Sequence, residues 1–529
     1  MKKTIFNPIL GLALFCSPIL YAQDILWEKS FGGKNADYLM DAQPTADYGF
    51  ILAGSSLSKK SGNKTQDNNG DLDYWIWKMD EKGDLDWQKN FGGSGSDFLQ
   101  SIALTKDGGF ILAGTSSSKK GFDKQDNNKG NDDFWIIKLD AKGNQEWQKT
   151  IGGNDQEKMQ SIRQTIDGGY IIGGSSSSDK SGDKTMDGFG NLDYWIIKTD
   201  DKGVIKWQKC FGGEYSDELR SLTPTKDGGY LVGGYSNSPT SGNKIEDNKG
   251  IGDYWILKLD KTGEMVWQKT IGGNQDDQLY AICQTYDDNY IIGGNSDSDS
   301  SNEKNKNNEN GTDFWVVKID NNGSIIWQET YNIGKVDVLT SIIENADHTI
   351  LLGGYAQSEV MGTSKKDKNE INDFVGIKIT EKGEEVWRKS VGSAGEDILK
   401  KAVETRDGGY LLAGTSNAKV SKDKNSNLGS NDFWVVKLKD KTKPEKIKLV
   451  IEAMPNPTTS FANVIVGYDY EKGTASVYDL AGRQLQSFSI TSRTVPIDLS
   501  NYPEGIYIVN IATNIQSDGV KIVKGLNKK

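Results

Sequence analysis

Cysteine, histidine and proline are scarce in this 529-residue chain, which has three Cys, one His and ten Pro. Cys16, Cys210 and Cys283 are too few and too scattered for a disulfide framework, and Cys210 and Cys283 are expected to be free buried thiols. The lone His348 rules out His-based metal clusters and leaves Ser-His-Asp hydrolysis dependent on a single turn residue. Basic charge is also short: 63 Lys and Arg face 74 Asp and Glu, a net charge of -11. That balance argues against a nucleic-acid partner, because phosphate binding needs a basic face, and it favours solubility instead. No glycine-rich loop joins a strand to a helix, which removes nucleotide cradling. Beyond residue 22 no apolar run approaches the ~18 residues needed to cross a bilayer, so no transmembrane segment is expected in the mature chain.

The N-terminus supplies an address. Lys2 and Lys3, the apolar run Ile9 to Cys16, and Leu20-Tyr21-Ala22 before Gln23 follow the order of a secretory signal peptide, with cleavage expected after Ala22. Cys16 follows the bulky Phe15, where a lipid-attachment signal needs a small residue.

Tryptophan carries the repeat. Trp27, Trp87, Trp147, Trp207, Trp267, Trp327 and Trp387 recur at a period of 60. A second series in phase with them runs through Asp73-Tyr74-Trp75, Asp133-Phe134-Trp135 and so on to Asp432-Phe433-Trp434, weakened once to Asp373-Phe374-Val375. One unit reads as four short strands. Ser101 to Thr105 turns through Asp107-Gly108-Gly109 into Phe110 to Thr115, and a polar loop leads to Phe134 to Leu139. The turn Asp140-Ala141-Lys142-Gly143 then delivers a strand around Trp147. The second and third strands are continuously apolar, as strands covered on both faces must be, whereas the fourth alternates like a half-exposed edge.

Four antiparallel strands per unit, seven times over, predict an all-β chain folded as a seven-bladed propeller over residues 23–440. The first unit begins with a fourth strand, Leu26 to Lys29, and the last stops after its third, Phe433 to Leu438. The N-terminal strand should therefore complete the seventh blade and leave no open edge. The turn and strand from Leu139 to Trp147 resemble the tryptophan-docking motif of quinoprotein-like propellers. That resemblance implies that the seven period-60 tryptophans pack blade on blade, and seven large aromatics at one strand position read as the main apolar contact between blades rather than as a cofactor site.

Residues 441–446 read as a charged linker with a proline, and the repeat is lost over 447–529. There, β-branched and aromatic residues alternate between Gly and Pro turns, predicting a small β-sandwich. Pro455-Asn456-Pro457, the Tyr478-to-Arg483 turn with Gly482, the strand from Gly505, and Lys521-Ile522-Val523-Lys524 are similar to the C-terminal sorting domain of type IX secretion cargo. The resemblance implies passage across the outer membrane to the cell surface or medium, with the type IX machinery as partner.

Catalytic chemistry is thin. Asp47, Asp107, Asp167, Asp227, Asp287, Asp347 and Asp407 precede the first hairpin turn and read as turn acceptors. Asp37, Asp97, Glu157, Asp217, Asp277, Asp337 and Asp397 follow the fourth strand and read as caps near a channel mouth where a cation is conceivable. Asp67, Asn69 and Asp71 put oxygens at alternate positions of a long loop, a calcium-like spacing that lacks the bidentate Glu of a full loop motif. The long loops between second and third strands vary most and share one face, where binding usually resides. The expected function is a monomeric, non-enzymatic binding module for carbohydrate or protein. A secreted polysaccharide-active enzyme is the alternative, though no carboxylate pair stands out for it.

Overall fold

The computed structural model describes residues 23–309, 311–357, 371–441 and 450–525. The signal segment ending at Ala22, linker residues 442–446 and all but the end of the loop at 365–372 lie outside the described residues.

Seven four-stranded antiparallel sheets run in simple order, first strand to fourth, around a ring. In the second blade they are Asp97–Leu104, Phe110–Ser116, Asp133–Leu139 and Gln145–Ile151. First strands of neighbouring blades touch one another, so they line the central channel and the tryptophan-bearing fourth strands form the outer rim. The burial of each strand follows its composition: Phe50–Ser56 and Asp73–Met79 are buried throughout, while Leu85–Phe91 keeps exposed positions.

The ring is closed by the two ends of the repeat array. Asp24–Phe31 pairs antiparallel with Asp432–Lys439, in register from Asp24 opposite Lys439 to Phe31 opposite Phe433. Glu28 accepts the indole N–H of Trp434 at 2.8 Å. In five other blades a glutamine of the fourth strand does this work, as Gln148 does for Trp135 at 2.9 Å. The sixth blade has Val375 in place of the third-strand Trp and Arg388 in place of the glutamine, so both halves of the pair change together. On the blade's other interface, facing the seventh blade, Trp387 packs over Gly376, which stands where the other blades keep Ile or Val, and it is 1% exposed where its counterparts are half-buried.

Two aromatic layers join the blades. The period-60 tryptophans sit on the outer strand against the next blade; Trp87 meets Phe110 edge-on at 5.8 Å. The turn glycine beneath has φ +77°, and a Cβ on Gly143 would come within 2.8 Å of the Trp87 ring, so glycine is required on two counts. Deeper and fully buried, the third-strand series stacks across the same interface: Tyr74 lies 4.9 Å from Trp135 and donates its hydroxyl to the Trp135 carbonyl at 3.1 Å.

The C-terminal domain is a β-sandwich. A three-stranded sheet (Ile451–Met454, Phe461–Val466, Thr494–Asp498) packs on a four-stranded one (Gln484–Ile490, Gly473–Asp479, Gly505–Thr513, Ser517–Lys524) around Val464, Val477, Ile497 and Val509. It sits on the hairpin-turn face of the ring. Arg406 stacks over Tyr48 at 4.4 Å and pairs with Glu452 at 2.7 Å, and Arg493 lies 3.3 Å from Glu81.

Candidate binding site at the channel mouth

A repeated irregularity builds the site. Each innermost strand carries a β-bulge two residues after its first position, as between Leu99 and Ser101, where Gln100 has no partner on the neighbouring strand. A bulge re-aims the extra side chain. Here it turns Met40, Gln100, Gln160 and Lys400 toward the channel, alongside Tyr38, Phe98, Lys158 and Ile398. The neighbouring strand must come close to accommodate this. A Cβ on Gly114 would fall 1.9 Å from the Phe98 carbonyl oxygen, so the second strand keeps a glycine there. Hydroxyls then lock blade to blade: Leu99 N–H donates to Ser55 Oγ at 2.8 Å, and Met159 N–H to Thr115 Oγ1 at 2.9 Å.

The mouth is asymmetric. On one side, Arg220 pairs with Glu218 at 2.6 Å and lies 5.4 Å over Tyr280, whose hydroxyl donates to Gln278 at 2.7 Å. Those groups satisfy one another. On the other side, the seventh, first, second and third blades enclose a cavity of about 610 Å³ on the face of the long loops. Tyr38 and Phe98 stand in its wall, 38% and 51% exposed, in a ring whose other aromatics are mostly core. Gln100, Gln160 and Ser117 supply hydrogen-bonding groups, and Asp132, already accepting from Gln156 at 3.0 Å, is the carboxylate in the lining.

Lys400 and Lys158 supply positive charge to the same cavity. Burial, and then the Arg220 guanidinium across the channel, hold the Lys400 ammonium below the usual lysine range. One residue deeper, burial also lowers Lys401, with Asp41 acting in the opposite direction.

The residues singled out from sequence lie elsewhere. The carboxylates that follow the fourth strand are buried caps: Asp97 accepts from Gly93 N–H at 2.8 Å and Ser118 Oγ at 2.9 Å. The hairpin aspartates accept from their own turns and meet a third-strand lysine, as Asp107 meets Lys138 at 2.9 Å. Asp67 accepts from Lys60 N–H at 2.8 Å, Asn69 donates to Asp123 at 2.6 Å, and Asp71 lies exposed nearby. No group of three or more His, Cys, Asp or Glu among the described residues is arranged to hold a metal. His348 adopts φ +63° in a hairpin turn on the opposite face, against Tyr286 at 3.9 Å. Burial pushes the Cys210 thiol up to about 12 and the Cys283 thiol to about 11, which leaves both inert at neutral pH. Asn456 ties the Pro455-Asn456-Pro457 segment to the last strand through Lys521 O and Val523 N–H. Gly482 turns at φ +78°, the Gly505 strand pairs with the last one, and Lys524 caps three carbonyls of residues 499–502.

The two carboxylate classes titrate in opposite directions. Burial raises the third-strand Asp73, Asp193, Asp313 and Asp432 to about 6 and Asp253 to about 7. The folded state therefore binds these protons more tightly than the unfolded chain, and stability declines as pH rises through that window. The hairpin aspartates behave differently: burial pushes Asp107 and Asp47 up, but the Lys138 and Lys78 ammoniums and the neighbouring threonine hydroxyls outweigh it and hold both low. Their contribution is present above the ordinary aspartate value and is lost as pH falls below it. Thermal unfolding followed by circular dichroism should show Tm rising from about pH 8 to about pH 5 and falling below about pH 4. A Tm that climbs steadily from pH 5 to pH 8 would contradict the protonated-aspartate account.

Residues 452–525 match the family described as the secretion system C-terminal sorting domain. The C-terminal sandwich is a Por-type sorting domain. Its presence marks the chain as cargo of the type IX secretion machinery, delivered out of the cytoplasm to the cell surface or beyond. The regulatory protein FlaEY of Caulobacter vibrioides is 22% identical over 219 residues, 40% of this chain. The match spans about a quarter of that relative's length, 23%. Among solved structures, Kuenenia stuttgartiensis hydrazine synthase overlaps 74% of this chain and 95% of its own at 9% identity and a TM-score of 0.38. The Synechocystis apocarotenoid oxygenase overlaps 77% and 95% at 12% identity and a TM-score of 0.36. Function rests on the site's own residues.

The cavity residues were missed in the sequence because they vary. Aligning the seven units places Tyr38 opposite Phe98, Lys158 and Glu218, and Met40 opposite Gln100, Arg220 and Lys400, interleaved with Asp37 and Leu39, whose counterparts stay Asp or Glu and Leu or Met in every unit. That contrast between fixed neighbours and changing residues was the available signal.

Proposed function

We propose that the exported propeller is a binding module that takes a carbohydrate ligand into the cavity at its channel mouth. The observation that carries this reading is the pair of exposed aromatic faces, Tyr38 and Phe98, beside the amides of Gln100 and Gln160 in one concave site. Flat aromatic surface suits the apolar face of a sugar ring, and side-chain amides suit its hydroxyls. A protein ligand would need roughly 800 Å² of buried surface on each partner, more than a cavity of this size offers by itself.

One observation favours the second reading, a polysaccharide-active enzyme on the same scaffold. Lys400 is a titratable group in a cavity with its proton affinity reduced by burial, the kind of group that proton-transfer chemistry uses. Against hydrolysis by paired carboxylates, the lining holds Asp132 alone.

Calorimetric titration of the full exported chain with a panel of oligosaccharides tests both readings. Saturable binding without turnover is expected, weakened about tenfold or more in the Tyr38→Ala/Phe98→Ala variant. Binding that ignores this double substitution would move the ligand away from the mouth. Product formation lost on Lys400→Met would establish the enzyme instead.

A further inference from the structure

Lysines in the interior of this ring follow a rule. Each third-strand lysine meets a hairpin aspartate at 2.6–3.1 Å, from Lys78 with Asp47 to Lys437 with Asp407. The lysines beneath the long loops donate to carbonyls and amides, as Lys64 does to Gln66 O and Asn68 Oδ1. Lys401 in the channel has Asp41 as its countercharge. Lys400 breaks the rule: it is half-buried, its strongest charged neighbour is the like-charged Arg220, and it has no hydrogen-bond or ion-pair partner among the described residues. Lys158, in the same cavity, is also without one.

A half-buried cation with no countercharge of its own is costly, and the cost falls when an anion arrives. The cavity's own carboxylate cannot fill that role, since Asp132 is engaged by Gln156. Glu218 is held by Arg220 at 2.6 Å. Building on the carbohydrate reading above, we infer that the ligand is an acidic glycan, whose carboxylate or sulfate groups meet Lys158 and Lys400 while its sugar faces lie on Tyr38 and Phe98. In a protein of net charge -11, this mouth is a local positive site that would draw such a polymer in by its charge. Carboxylate and sulfate offer the same chemistry to an ammonium, so the two sources must be separated by experiment.

The full exported chain is titrated with oligogalacturonate (carboxylated), oligosaccharides of dextran sulfate (sulfated), and neutral dextran and xylan oligosaccharides. Binding of one acidic series at least tenfold tighter than the neutral series, and weaker in high salt, is expected; the series that wins identifies the group. Lys158→Met/Lys400→Met should remove that preference, while Lys82→Met, an exposed lysine of a hairpin turn on the opposite face, should leave it intact. A readout independent of ligand accompanies this: Lys400→Met should raise the Tm of the free protein by about 1–4 °C, because it removes an unpaired cation at nearly constant volume. Neutral glycans bound through Tyr38 and Phe98 with no acidic preference would overturn the inference and leave the binding reading standing. Acidic glycans bound equally well by the double lysine variant would overturn the inference too. No binding of any glycan would overturn both.

Discussion

Removal of residues 452–525 is expected to abolish delivery of the propeller outside the cell and to leave it folded in the periplasm. The address lies in the sorting domain, whereas the folding information for the ring lies in residues 24–439. The two bodies touch through a few polar contacts, chiefly Arg406 with Glu452 and Arg493 with Glu81. Partly exposed ion pairs contribute about 0–1 kcal/mol each, so their loss leaves the ring's stability essentially intact. Fractionation of cells expressing the truncated chain, with protease resistance of the periplasmic product as the folding check, separates failed transport from failed folding. Unchanged surface delivery would refute the sorting role. Degradation of the truncated chain would instead show that the sandwich supports the ring.

The second large effect concerns closure. Deleting residues 24–31 strips the outer strand from the seventh blade, takes Phe31 and Trp27 from the interface with the first blade, and leaves Trp434 without its acceptor, Glu28. Burying one large apolar side chain is worth about 1.5–3 kcal/mol, and an orphaned buried donor costs about 1–3 kcal/mol more. A loss on the order of 5 kcal/mol follows, a large part of the stability of an ordinary domain. An open ring also exposes two edges that can recruit other chains. The deleted form should therefore unfold at much lower denaturant concentration and aggregate. Because the lost strand runs antiparallel to Asp432–Lys439, grafting it behind Leu438 through a copy of the turn at 140–144 should restore cooperative unfolding. A midpoint unaffected by the deletion would mean that the ring does not depend on its terminal strand.

Architecture was legible because it is periodic. Trp27 through Trp387 mark the register, and Leu26 to Lys29 at one end with Phe433 to Leu438 at the other reveal the shared blade in the sequence itself. The site was not legible, for a physical reason. Binding residues on a symmetric ring are the positions that break symmetry, and a search for repeated chemistry passes over them. The long loops and the carboxylate rings repeat and so stand out in the sequence; the loops are indeed polar, but Asp97 and its counterparts are consumed as backbone caps. Gln100 and Lys400 face the channel only because a bulge turns them there, and bulges leave no composition of their own. The solitary state of Lys400 is likewise invisible in one dimension, since a lysine's partners are set by register. The sixth blade offers the converse lesson: Val375 and Arg388 look like decay in the sequence, yet they are two halves of one replaced contact, and Gly376 beside them makes room for Trp387 on the blade's other interface.

The sandwich rests on the hairpin-turn face, and the cavity opens on the other. A tail held at a surface by its far side would leave the ring standing like a cup on its base, with its rim clear. A polymer arriving from outside then meets the opening head-on, and clipping the tail would free the cup without altering its bowl.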